Sequence, residues 1–254
     1  MGHLAADAAD QTPASAEAET PARYADTLAG LDPADLAAEA DAFAHSIHET
    51  GLSSPFHAVL VRHISAARPD LLADALGLSP LGRASLEENR DLVTTVVEEA
   101  VQPGTAVGVL GLAKALDRGL FSLPEVQAGM RRVLGVTIAP TAEERLLALR
   151  NVASDPSLTA RALLVAGTVS VLGLPLGIGQ GNNPTCQAAR GLSLWSQHAP
   201  GLLLKILVRA VRDGVLRCSF EQHDVIVEEV HEDLAARLDL NLDPVAAVLV
   251  PLLD

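Results

Sequence analysis

A mainly α-helical bundle is the fold class this sequence predicts, with room for one short β element near Cys186 and an α+β arrangement as the alternative. Three observations predict it. Apolar residues make up 49% of the chain and aromatic residues only 2%, so the core must be built mostly from Leu, Val and Ala. Ala and Leu are strong helix formers, and long β-branched runs are few. Three Ser/Thr-x-x-Glu spacings, Ser85 with Glu88, Ser122 with Glu125 and Thr141 with Glu144, match the reciprocal capping box that opens a helix.

Along the chain, residues 1–24 are Ala, Asp, Glu, Thr and Pro with almost no large apolar side chain. Such a segment buries too little surface to offset its ordering entropy, so it predicts a disordered tail, with order beginning near Tyr24. Asp32-Pro33 supplies an N-cap and a proline at the first helical position, opening a helix to about His48. A turn over Gly51–Pro55 leads into the helix "FHAVLVRHISAA". Gly104, Gly119 and the Pro140 region separate further helices at short-loop distances, giving about six between Tyr24 and Ser154. No fixed period points to a solenoid.

The texture changes at Asp155-Pro156, so the sequence predicts a helical bundle over 25–154 and a second half, 155–254, packed on it. "LLVAGTVSVLGL" mixes helix and strand character, and strand is expected only within about 163–178 and 215–231. An apolar helix follows from about Pro184 to His198, then "LLLKILVRAVRDG", then "HDVIVEEV" as a short strand. The ending "LVPLLD" reads as an interrupted element, compatible with a piece of a longer chain.

Charge and composition narrow the function. A net charge of -14 repels phosphate backbones and anionic lipid, so no nucleic-acid or membrane partner is expected. The apolar stretch Ala162–Gly179 approaches membrane-span length, but Pro175 and its glycines break it. "MGHLAADAAD" has neither a basic region nor an apolar core, so a secretory leader is not expected and a cytoplasmic location is the default. Two cysteines, Cys186 and Cys218, make no disulfide framework.

The segment that invites a functional reading is "GQGNNPTCQAAR", residues 179–190. Asn183-Pro184-Thr185 before an apolar helix puts Cys186 in that helix's first turn, where unpaired amides and the dipole favour a thiolate. Gly179 and Gly181 let the backbone approach a ligand, the Gln180 amide is a candidate oxyanion donor, and Asn182, Asn183 and Thr185 add polar groups. Arg190 lies one turn along and can pair with an anion, while Trp195 on the same helix is a candidate pocket wall. His223 lies downstream, at the start of "HDVIVEEV", and Asp243 follows in "LNLDPV".

A cysteine at a helix N-terminus, then a histidine opening a strand, then an acidic residue resembles the papain-like and transglutaminase-like cysteine enzymes. Gln180, six residues before Cys186, is similar to the glutamine-to-cysteine spacing of papain-like proteases; "HDVIVEE" and "LDP" look like the histidine strand and Asp-Pro of transglutaminase-like folds. The resemblance covers about residues 177–244 and implies Cys186 as nucleophile, His223 as base, Asp243 as orienting group and Gln180 as oxyanion donor. It implies amide or ester hydrolysis, or acyl transfer, on a small-molecule or peptide substrate. Two readings stay open beside it. In one, the 177–190 loop is a non-catalytic site for a partner protein or small anion; in the other, Cys186 is a packing residue under a Gly-Asn turn. No cofactor or metal is expected: "HSIHE" (His45, His48, Glu49) and His223 with Glu228, Glu229 and His231 copy no strong ligand signature.

Overall fold

A computed structural model describes residues 12–153, 155–178, 186–220, 223–227, 245–246 and 248–249, with the backbone alone for 150–153, 216–220 and 223–227. Among these residues it contains thirteen α-helices and one two-stranded antiparallel sheet, so the fold is mainly α. The chain divides into two compact units, Met1–Ser122 and Leu123–Asp254.

The first unit holds α1 (Pro13–Ala18), α2 (Pro21–Gly30), α3 (Pro33–Thr50), α4 (Pro55–Ala67), α5 (Leu72–Ala75), α6 (Pro80–Glu88), α7 (Arg90–Ala100) and α8 (Val107–Asp117). The second holds α9 (Pro124–Gly135), α10 (Pro140–Ala153), α11 (Ala160–Gly173), α12 (Cys186–His198), α13 (Pro200–Asp213), β1 (Leu216–Phe220) and β2 (His223–Val227). Nine α-helices lie between Pro21 and Ala153 rather than about six, because Asn89 divides α6 from α7 and short elements such as α5 fill the connections.

Proline decides most helix starts. Eight of the thirteen α-helices begin on it, where the missing N–H costs nothing and φ is already helical. Asp32 caps α3 as its sequence predicts, its Oδ1 accepting from the amides of Ala34 and Asp35 at 2.8 and 2.9 Å, and Gly51 closes the helix at φ 67°. The three capping boxes are not the starts. Ser85 is buried inside α6, whose cap is Ser79; Ser122 ends a 3-10 turn before Leu123-Pro124; Thr141 is the second residue of α10. In each case the neighbouring proline sets the first turn and outranks the Ser/Thr-x-x-Glu spacing.

Order also reaches further toward the N-terminus than Tyr24. Thr12 caps α1, accepting from Ser15 N at 3.1 Å, and its hydroxyl donates to Glu39 Oε1 at 2.5 Å. The Tyr24 hydroxyl donates to the same oxygen at 2.6 Å. Thr12, Tyr24 and Glu39 are all buried, so one carboxylate on α3 ties α1 and α2 to the core. Burial, reinforced by the Glu39 carboxylate, pushes the Tyr24 phenol well above its ordinary pKa. The part of the expected tail over residues 1–11 lies outside the described residues.

Beside this cluster His57 is fully buried, stacked on Phe43 with ring centroids 5.0 Å apart. Its Nε2 lies 2.7 Å from the Ala75 carbonyl, which can only accept, so Nε2 carries the proton, and Nδ1 has no partner among the described residues. Burial pushes the imidazole down to about 4.

In the second unit the ambiguous "LLVAGTVSVLGL" is not a strand but the centre of α11, and Pro175–Gly177 is a 3-10 turn. From Ala162 to Gly173 every residue of α11 is buried, which removes the amphipathic signature by which a surface helix is recognised. Thr159 caps it, accepting from Ala162 N at 3.1 Å, and Arg161 donates to the Val136 carbonyl at 2.8 Å and to that of Leu134. The expected strand near 215–231 is present as β1 paired with β2, His223 standing opposite Phe220 and Cys218 opposite Val225. No described helix is long and apolar enough to cross a membrane.

Candidate functional site

Among the described residues α12 runs from Cys186 to His198, and Cys186 is exposed. The helix is amphipathic: Ala188, Ala189, Leu192 and Ser196 are buried, and the Ser196 hydroxyl donates to the Val171 carbonyl of α11 at 2.6 Å. Helical spacing then stacks Cys186, Arg190, Ser193 with Leu194, and Gln197 along one stripe.

That stripe faces the turn that ends α11. Pro175, Leu176 and Ile178 line one side of a cavity of about 490 Å³, and the α12 residues line the other. Leu176 is 86% exposed and Leu194 45% exposed, large apolar side chains left in water at the rim. Arg190 is exposed and has no ion pair among the described residues. Gln197 Nε2 donates to Ser193 Oγ at 3.2 Å, a local bond between two cavity residues. The cavity thus joins a thiol, a guanidinium and an apolar wall.

Of the residues singled out from sequence, Cys186 and Arg190 come together here. Trp195 is half-buried on α12 and is not among the lining residues. Gly179, Gln180, Gly181, Asn182, Asn183, Thr185 and Asp243 lie outside the described residues. His223 is described as the first residue of β2, by its backbone. In the "HSIHE" segment His45 Nε2 pairs with Glu49 at 3.1 Å while His48 Nε2 lies 2.9 Å from the Gly77 carbonyl, so the two imidazoles serve different partners.

Sequence reasoning missed Leu176, Ile178, Ser193, Leu194 and Gln197. The α12 members were recoverable, since steps of three and four from Cys186 reach all of them; the turn residues were not, because their approach to α12 depends on α11 being a helix. No protein-family model, no curated protein and no solved structure matches this chain.

Proposed function

We propose that this protein is a helical module that binds, in the α12 cavity, a small ligand with an anionic end and an apolar body. The observation that carries the reading is the joint placement on one cavity of Arg190, which has no ion pair among the described residues, and the exposed Leu176 and Leu194. A guanidinium recognises a carboxylate through two parallel N–H bonds, and the leucines take up the apolar part that would otherwise stay hydrated. Trp195 is the chain's single tryptophan and sits on the same helix, so its fluorescence reports binding. Titration with a series of linear carboxylates is expected to give affinity that rises with chain length, and Arg190→Ala to weaken it by about tenfold or more. Affinity that ignores both chain length and Arg190 overturns the reading.

A second reading rests on a different observation, the exposed thiol of Cys186 on α12, opening on the same cavity. On this reading the protein is a cysteine-dependent acyl-transfer enzyme. The Cys186 thiolate attacks an amide or ester carbonyl, and the C–S bond forms as the amine or alcohol departs with a proton. Water or an amine then takes the acyl group and restores the thiol. His223 would act as base, Asp243 as its orienting group and Gln180 as oxyanion donor. Mass spectrometry after incubation with an activated ester is expected to show one acyl group on Cys186, lost with time. Loss of turnover in Cys186→Ala and Gln180→Ala but not in His223→Ala removes His223 from the mechanism. A thiol inert to both ester and alkylating agent in the folded chain leaves the binding module alone.

A further inference from the structure

A different face of the second unit carries a cluster of cations. α9 and α13 together hold Arg131, Arg132, Lys205, Arg209 and Arg212 against only Glu125 and Asp213, in a chain whose net charge is -14. Lys205, Val208, Arg209 and Arg212 follow the i, i+3, i+4, i+7 spacing of one helical stripe. It is the outer stripe, because Leu203, Leu204, Leu207, Ala210 and Val211 are buried. α9 is brought against α13 by Gly129, where a Cβ would lie 2.6 Å from Leu204 Cδ1, and Arg132 is three residues further along α9. Arg132, Lys205, Val208, Arg209 and Arg212 then line one cavity of about 230 Å³.

The local bonds leave this cavity electropositive. Arg212 is taken by Asp213 in a two-point pair of 2.7 and 2.8 Å. Arg132 Nε donates to its own Ala128 carbonyl at 3.1 Å. Lys205 and Arg209 form no ion pair among the described residues. A cation in the last turn complements the helix dipole, which accounts for Arg212, but Lys205 lies two turns before the end. Lys205 and Arg209 are like charges one turn apart, an arrangement that weakens a helix unless something neutralises it.

We propose that the α9–α13 cavity binds a compact oxyanion of the phosphate class. Compactness follows from the charge of the whole molecule. A phosphate group seated there lies near the three cations Arg132, Lys205 and Arg209 and beside the self-neutralised Arg212–Asp213 pair, whereas carboxylates beyond a Debye length of about 8 Å at physiological salt are screened. An extended polyanion would leave this small face and meet the acidic remainder of the surface. Guanidinium groups at Arg132 and Arg209 suit phosphate through paired N–H donors, and Lys205 adds a point charge. Val208 among the cations gives the organic part of a phosphate ester an apolar contact. This site shares no residue with the Cys186 cavity, so it stands or falls independently of the function proposed there.

Calorimetric titration of the full chain with inorganic pyrophosphate, inorganic phosphate and phenyl phosphate tests it. Pyrophosphate is expected to bind, and Lys205→Gln and Arg209→Gln each to weaken it by about tenfold, the size of one lost charge-assisted bond. Far-ultraviolet spectra are expected to be unchanged in both variants, and Arg23→Gln, on the first unit, to bind like the parent. Phenyl phosphate binding more tightly than inorganic phosphate would assign the ligand to phosphate esters, and the reverse to the free anion; either supports the site. No binding by the parent at millimolar pyrophosphate, or undiminished binding by the double variant Lys205→Gln/Arg209→Gln, overturns it. A single-stranded oligonucleotide binding more tightly than pyrophosphate overturns the compact ligand in favour of a polymer.

Discussion

His57 shows how one side chain can make stability depend on pH. Its imidazole is neutral in the core because burial lowers its pKa to about 4, against 6.5 in an exposed histidine. The unfolded chain therefore takes up the proton first as pH falls. The stability tied to neutral His57 is complete above about pH 6.5 and is lost as pH falls toward 4, a term of ~3 kcal/mol over that window. Urea titrations at neutral pH and at about pH 4.5 are expected to show a larger loss in the parent than in His57→Gln; equal losses would refute the assignment. Tyr24 gives a companion test. Removing its hydroxyl takes one donor from the buried Glu39 carboxylate and leaves that of Thr12, so Tyr24→Phe is expected to cost ~1–3 kcal/mol by urea unfolding. The cluster itself was not visible in the sequence: Thr12 and Glu39 are 27 positions apart, and only folding brings them together.

At the scale of elements, two helical glycines with the same intrinsic propensity are expected to respond to alanine with opposite signs. Gly129 faces Leu204 across the α9–α13 contact, and a Cβ there would stand 2.6 Å from Cδ1 and 2.8 Å from Cβ of that leucine. The second of these atoms cannot swing away with a rotamer change. Overpacking of ~1–3 kcal/mol then exceeds the ~1 kcal/mol gained from helix propensity, so Gly129→Ala is expected to lower the melting temperature. Gly191, inside α12, has nothing among the described residues within 4 Å of its added Cβ. Gly191→Ala is expected to raise stability by up to ~1 kcal/mol, and calorimetry on the pair of variants checks both signs. A helical sequence pattern cannot separate them, because the difference resides in the neighbouring helix.

For the whole molecule the governing quantity is the net charge of -14. Self-repulsion is carried mainly by the folded state, where the carboxylates are held at fixed and close distances. Raising ionic strength from about 0.01 to about 0.15 M shortens the Debye length from about 30 to about 8 Å. The melting temperature is therefore expected to rise with sodium chloride over that range. A melting temperature that falls would mean that the surface ion pairs, such as Arg68 with Asp70 and Arg83 with Asp74, outweigh the repulsion.

What the sequence determined by itself was local chemistry. Ala- and Leu-rich segments between prolines and glycines yield helices, and Asp32-Pro33 starts α3 because cap and proline act within one turn. The placement of Cys186 on a helix was legible for the same reason. Tertiary structure decided whatever depended on a neighbour distant in sequence. "LLVAGTVSVLGL" carries no helical stripe because α11 is covered on all sides, so burial rather than periodicity decided between helix and strand. Order at Thr12 came from a carboxylate on α3, against a composition that argues for a tail. The Cys186 cavity needed a 3-10 turn set against α12, and the cation cluster needed Gly129 to admit Leu204. Hydrophobic burial and close packing act between segments that the linear order keeps apart, and those are the terms a sequence pattern does not contain.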